Sequence, residues 1–117
     1  MKTKSGILSM AFTAILAIFT TVNATPNHNE TATFKVYGNC EMCKKRIEAA
    51  LLKNESISSA TWDVKTKMVT IVYNPHMISL DAIHQIIADA GHDTEILSAK
   101  DSTYKDLMGC CQYKRKK

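Results

Sequence analysis

Several residue patterns that mark common functions are missing from this 117-residue chain. Asp63 and Asp81 have no paired carboxylate of the kind that acid–base hydrolysis uses. His28, His76 and His84 show no ligand spacing with one another. Met68, Met77 and Met108 are scattered and form no methionine-rich copper motif. Charge of one sign is also scarce. The formal net charge is +4 at pH 7, and much of the excess sits in one terminal run, "YKRKK" at 113–117. A balance this mild argues against nucleic acid as a partner, and a short basic end reads as a solvated tail. Long apolar runs are absent after the first twenty residues.

That first stretch stands apart. Lys2 and Lys4 precede the nearly continuous apolar run "ILSMAFTAILAIF" at 7–19, and Val22-Asn23-Ala24 places small residues at the −3 and −1 positions of a cleavage site. The pattern predicts a secretory signal peptide over residues 1–24. No cysteine stands at the exit, which argues against a lipoprotein anchor. An uncleaved membrane anchor is the alternative, because no charged residue occurs from Ser5 to Asn27. The apolar core is shorter than the about 20 residues a spanning helix needs. Cleavage would remove Lys2 and Lys4, taking the 15 basic residues to 13 against 11 acidic ones. The expected location is periplasmic in a cell with two membranes and otherwise extracellular.

What remains is one small domain. Residues 25–30, "TPNHNE", read as a disordered lead-in. "TATFKVY" at 31–37 alternates as a half-buried strand. A helix is expected from about Glu41 to Lys53, with Ile47, Ala50 and Leu51 beside Cys43 on its apolar side. "ISSATWDV" and "MVTIVY" form a hairpin across Lys65-Thr66-Lys67, with Trp62 facing the core. Ser79 caps a second helix that runs to about Ala90, and Gly91 fits the position just past its end. A fourth strand is predicted over 93–97. The order β-α-β-β-α-β predicts an α+β, ferredoxin-like sandwich, with two helices on one face of a four-stranded antiparallel sheet. Residues 98–117 are expected to lie outside it as a polar, basic tail.

The four cysteines come as two tight pairs, Cys40/Cys43 and Cys110/Cys111. Disulfides that staple small exported domains usually join distant segments, and a bridge between sequence neighbours is strained. Cys40 falls in the loop after the first strand and Cys43 in the first turn of the helix. Free N–H groups there favour negative charge, and Lys44 and Arg46 add positive potential, so both thiols are expected to ionise readily. A soft thiolate pair selects soft ions, Cu(I) foremost. Two protein ligands leave an ion open to an incoming thiol, which suits transfer better than storage.

With the strand, the Cys-x-x-Cys at a helix start, the hairpin and the second helix ending at Gly91, residues 31–97 resemble the heavy-metal-associated domain. That family includes small copper chaperones, N-terminal modules of copper-exporting P-type ATPases and a periplasmic mercury-binding protein. The resemblance implies that Cys40 and Cys43 are the metal ligands. It also implies handover by ligand exchange to or from a metal donor or acceptor, such as a P-type ATPase or membrane transporter. It implies no enzymatic activity. The protein would be a monomer, or a dimer bridged by a shared ion. Two departures stand out. The family commonly reads Gly-Met-Thr before the first cysteine, and here Gly38 takes the methionine position, so a methionine that packs beneath the loop is missing. His92 occupies the loop after the second helix, where the family places an aromatic or a lysine, and reads as a third ligand, as a proton-sensitive gate or as an exposed loop histidine. Met42, between the cysteines, reads as a surface contact.

Alternatives remain. Hg(II) also suits two thiolates in linear geometry. Cys110 and Cys111 read equally as further ligands, giving the four sulfurs Zn(II) favours or a tighter Cu(I) site, and as partners in disulfides. A thioredoxin-type redox protein shares the Cys-x-x-Cys at a helix start. That fold needs more strand and helix than follows Cys43, and Asn74-Pro75 sits at a hairpin exit rather than where a cis-proline would act. A disulfide-stapled module without chemistry is the third class.

Overall fold

A computed structural model describes residues 28–116; the expected signal peptide and the start of the lead-in lie outside the described residues. Strand β1, Glu30–Lys35, leads through a loop into helix α1, Glu41–Leu52. Strands β2, Ile57–Trp62, and β3, Met68–Tyr73, form the hairpin. Helix α2, Leu80–Asp89, follows. The sheet order is β1-β3-β2 and both pairings are antiparallel, with Phe34 opposite Val69 and Trp62 opposite Val69 from the other side.

Local chemistry explains each junction. Asp63 Oδ1 accepts from the amides of Lys65 and Thr66 at 2.7 and 2.9 Å, closing the hairpin turn, and Lys67 completes it in the left-handed region at φ 65°. The Ser79 hydroxyl accepts from Ala82 N at 3.1 Å and caps α2. Gly91 leaves α2 at φ +108°, a conformation glycine adopts without strain. Cys43, Ile47 and Leu51 recur every fourth residue and form the buried stripe of α1. On β2 the register shifts between Ile57 and Ser59, which turns both Ile57 and Ala60 inward despite their odd spacing. Trp62 is fully buried; its indole N–H lies 3.0 Å from Val36 O and 3.2 Å from Lys67 O.

The predicted fourth strand does not form. Among the described residues the sheet has three strands, and segment 93–97 contributes only an isolated antiparallel bridge between Val36 and Thr94. Side chains curl this segment before it can extend. Thr94 Oγ1 accepts from the amides of Ile96 and Leu97 at 3.2 and 3.0 Å, and Thr94 N donates to Leu97 O at 2.8 Å. Threonine and aspartate compete in this way with ladder bonding. Asp93 Oδ1 adds a bond from Ala99 N at 2.7 Å.

Nor is the segment after residue 98 merely a solvated tail. Helix α3, Asp101–Lys105, and a 3₁₀ turn, Gly109–Cys111, carry Leu107, Cys111 and Tyr113 into the core. The Tyr113 hydroxyl donates to Gly91 O and accepts from Asp93 N, both at 2.8 Å. The guanidinium of Arg115 grips the buried Asp93 carboxylate with two hydrogen bonds, 2.7 and 3.1 Å, and reaches Asp101 and the carbonyl of Ala99. Gly91 also makes room for this docking, since a Cβ there would meet Leu107 Cδ2 at 2.9 Å. No helix among the described residues is long and apolar enough to cross a membrane.

Candidate metal centre

Cys40 is the N-cap residue of α1, with extended backbone, and Cys43 lies in the first turn. Their sulfurs are 3.8 Å apart and unbridged. The two thiols differ sharply. The Cys43 backbone N–H at the free helix start faces the half-exposed Cys40 sulfur and lowers its pKa to about 7. Cys43 is fully buried, and that burial pushes its thiol up to about 11, although Asn39 N–H donates to its sulfur at 3.3 Å. The expectation that both thiols ionise readily therefore holds only for Cys40.

The 3₁₀ turn brings the second cysteine pair to the same place. Cys111 Sγ lies 3.9 Å from Cys40 Sγ, and Cys110 Sγ lies 4.0 Å from Cys111 Sγ. The sulfurs of Cys40, Cys110 and Cys111 all fall within 4.8 Å of one another. Cys111 is buried, which raises its thiol pKa, while Cys110 is exposed. The Cys110 carbonyl accepts from Cys40 Sγ at 3.4 Å and from Asn39 Nδ2 at 3.5 Å, tying the tail to the loop before α1.

The donor set fits a soft ion. With metal–sulfur bonds of about 2.3 Å, the edges of a tetrahedral or trigonal sulfur site are about 3.8–4.0 Å. The Cys40–Cys43, Cys40–Cys111 and Cys110–Cys111 separations, 3.8, 3.9 and 4.0 Å, are close to such edges, while Cys43 falls outside the cluster of three sulfurs that lie within 4.8 Å of one another.

His92 does not join the sulfurs and is not an exposed loop residue. It is completely buried, its Nδ1 is 2.8 Å from Tyr37 O, and its ring stacks on Tyr113 at 5.3 Å between centroids. Burial lowers its pKa and so favours the neutral ring. The methionine missing at Gly38 has a structural replacement: the Trp62 ring lies where a Cβ on Gly38 would be only 3.0 Å away, so the indole fills the space beneath the loop. Met42 is exposed, in keeping with a surface contact. The anchors Tyr113 and Arg115 escaped the sequence reading. The apolar positions Tyr104, Leu107 and Cys111, spaced three and four apart in an otherwise polar segment, were the available signal of a packed surface.

The model of the heavy-metal-associated domain matches residues 33–93, and the chain belongs to that family. A copper-exporting P-type ATPase of Staphylococcus saprophyticus is 37% identical over 82 residues, covering 68% of this chain but 10% of the ATPase. This chain therefore spans about a tenth of that relative's length. The copper chaperone CopZ of Staphylococcus haemolyticus is 29% identical over 56 residues, covering 48% of this chain and 82% of CopZ. Among solved structures, the N-terminal domain of a potential copper-translocating P-type ATPase from Bacillus subtilis, in the Cu(I)-loaded state, superposes with a TM-score of 0.55. It is 29% identical and covers 64% of this chain and 95% of that domain.

Proposed function

We propose that this protein is an exported carrier of Cu(I) that receives the ion on Cys40 and Cys43 and passes it on by thiolate exchange. The observation that carries the reading is the asymmetry of the pair. Cys40 is a half-exposed thiol with a pKa near 7 at the open end of α1, and Cys43 is a buried thiol 3.8 Å behind it. At neutral pH about half of Cys40 is already thiolate and ready to meet an arriving ion, and Cys43 loses its proton only when the ion replaces it. The resulting Cu(I) bis-thiolate carries one negative charge, which the helix N-terminus favours. Transfer needs no electron: an acceptor thiolate bonds to Cu(I), one protein sulfur leaves, and that sulfur takes a proton.

The acceptor we favour is a cysteine-bearing domain of a copper-transporting P-type ATPase, the kind of protein in which similar sequences occur. The carrier works as a monomer in this reading. Export is supported by Lys2 and Lys4, the apolar run at 7–19 and the small residues Val22 and Ala24. Titration of the reduced, anaerobic protein with Cu(I) against a competing chelator tests the reading. Tight binding of one ion per chain, abolished in Cys40→Ser/Cys43→Ser, supports it. Failure of the unaltered protein to compete overturns it and brings Hg(II) and Zn(II) forward.

A further inference from the structure

We infer that the ion is held by the C-terminal segment as well, with Cys110 and Cys111 acting as ligands to the same ion as Cys40. The proposal rests on the carrier reading above and changes what kind of carrier it is. A two-sulfur site leaves its ion exposed, whereas a site closed by the tail retains it until the tail gives way.

Three observations lead there. First, the sulfurs of Cys40, Cys110 and Cys111 lie within 4.8 Å of one another, and the Cys40–Cys111 and Cys110–Cys111 separations are already edges of a three- or four-sulfur metal site. Second, the tail is held there by several contacts that do not depend on the thiols. Tyr113 is bonded to Gly91 and Asp93, Arg115 is bonded to Asp93, and Leu107 packs against Gly91. The anchors flank the thiols and present them. Third, Cys110 is exposed and unbridged beside a buried neighbour. A cysteine that served only to fill the core would explain Cys111 and leave Cys110 without a role.

Exchange from such a site is stepwise. An acceptor thiolate bonds to the ion while one tail sulfur leaves and is protonated. A second acceptor thiolate then bonds to the ion as the remaining protein sulfurs leave one after the other, each taking a proton. The ion stays Cu(I) throughout, and each thiol proton lost on loading is regained on release.

The test compares the unaltered full chain, Cys110→Ser/Cys111→Ser and Cys40→Ser/Cys43→Ser, each reduced, anaerobic and given one equivalent of Cu(I). X-ray absorption at the copper edge counts the sulfurs, and a competing chelator measures retention. Three or more sulfurs are expected in the unaltered protein and two in the tail variant. The tail variant should lose affinity by on the order of 10–100-fold, the range typical when even a supporting residue of a metal site is removed. An unchanged sulfur count and affinity in the tail variant overturns the proposal and leaves the carrier reading intact. Unchanged binding in the Cys40/Cys43 variant overturns the carrier reading itself. Because the tail variant could fail to dock for other reasons, alkylation of the unaltered protein by iodoacetamide gives a second readout. Cu(I) should protect Cys110 and Cys111 along with Cys40. Tail thiols that remain as reactive as in the metal-free protein, or binding of a second ion per chain, overturn the shared site.

Discussion

The sulfurs of Cys40 and Cys111 lie 3.9 Å apart although 71 positions separate them in the chain. No local preference makes that contact. It follows from the anchoring of Tyr113 and Arg115 on Asp93 and Gly91, which turns the last residues of the chain back over the start of α1. The domain thus closes over the loop that carries Cys40.

The two thiols of the Cys-x-x-Cys pair should titrate far apart. Cys40, lowered to about 7 by the helix-start N–H groups, should show an alkylation rate in the metal-free protein that rises steeply from pH 6 to 8. Cys43, raised to about 11 by burial, should remain unmodified over that interval. Peptide mass spectrometry after timed iodoacetamide pulses resolves the two. Equal rates for both cysteines at pH 7 would show that the asymmetry is absent.

Removing Arg115 should release the tail. Arg115→Ala leaves the Asp93 carboxylate buried without its cation, at a cost of about 3 kcal/mol. Hydrogen exchange should then quicken at the amides of Cys111 and Tyr113 while β3 stays protected. Acid should have the same effect on the unaltered protein. Burial alone would raise the Asp93 pKa, but the hydrogen bonds from Arg115 and Ala99 outweigh it and hold the carboxyl below 3.8. The stabilisation is thus fully present above that ordinary value and disappears as pH falls through the lower, folded one. Protection factors of the tail amides, taken against the intrinsic exchange rate at each pH, that stay high at pH 2 and in the variant would count against this anchor.

Most of the fold was legible because its signals are local. The periodicity of Ile47 and Leu51, the alternation of Val69, Ile71 and Tyr73, the Ser79 cap and Gly91 each report a conformation set by near neighbours. The fourth strand was misread because "DTEIL" has strand composition, and its outcome depends on whether Thr94 and Asp93 bond locally or leave their amides to the sheet. Alternation cannot report that competition.

The site was legible in part. Spacing pointed to Cys40 and Cys43 together, and the structure brings Cys110 and Cys111 to them. The split in their acidity was only partly readable: Cys43 lies on the apolar side of α1 with Ile47 and Leu51, but that its burial outweighs the helix-start N–H groups is a matter of magnitude that spacing does not report. His92 was unreadable for a similar reason: the residues that cover it, Tyr37 and Tyr113, come from opposite ends of the domain. "YKRKK" looked like a solvated end because the partner of Arg115, Asp93, is 22 residues away.

Gly38 should be intolerant of any side chain. Gly38→Ala would place a Cβ 3.0 Å from Trp62 and 3.2 Å from Cys43 Cβ, both in the packed interior. Overpacking of this kind costs about 1–3 kcal/mol. The indole should move, changing tryptophan fluorescence, and Cys43 should become more open to alkylation. The single tryptophan makes the optical signal unambiguous. Unchanged stability in urea together with an unshifted emission maximum would contradict this packing.

Thr94 offers the sharpest test of why the fourth strand stops. Its hydroxyl lies 2.7 Å from His84 Nδ1 and accepts from the amides of Ile96 and Leu97. Thr94→Val keeps the volume and β-branching but strips all three partners. Where these groups stay buried, each unsatisfied one costs about 1–3 kcal/mol, and half-exposed amides that find water cost less. A net loss of about 2 kcal/mol is expected, read as a lower urea midpoint. Thr94→Ser retains the oxygen and should recover most of the difference. The valine variant should also exchange the amides of Ile96 and Leu97 faster, because valine provides the strand propensity but not the local acceptor. If instead those amides become more protected, the segment has joined the sheet beside β1, and the hydroxyl of Thr94 is the group whose loss released it.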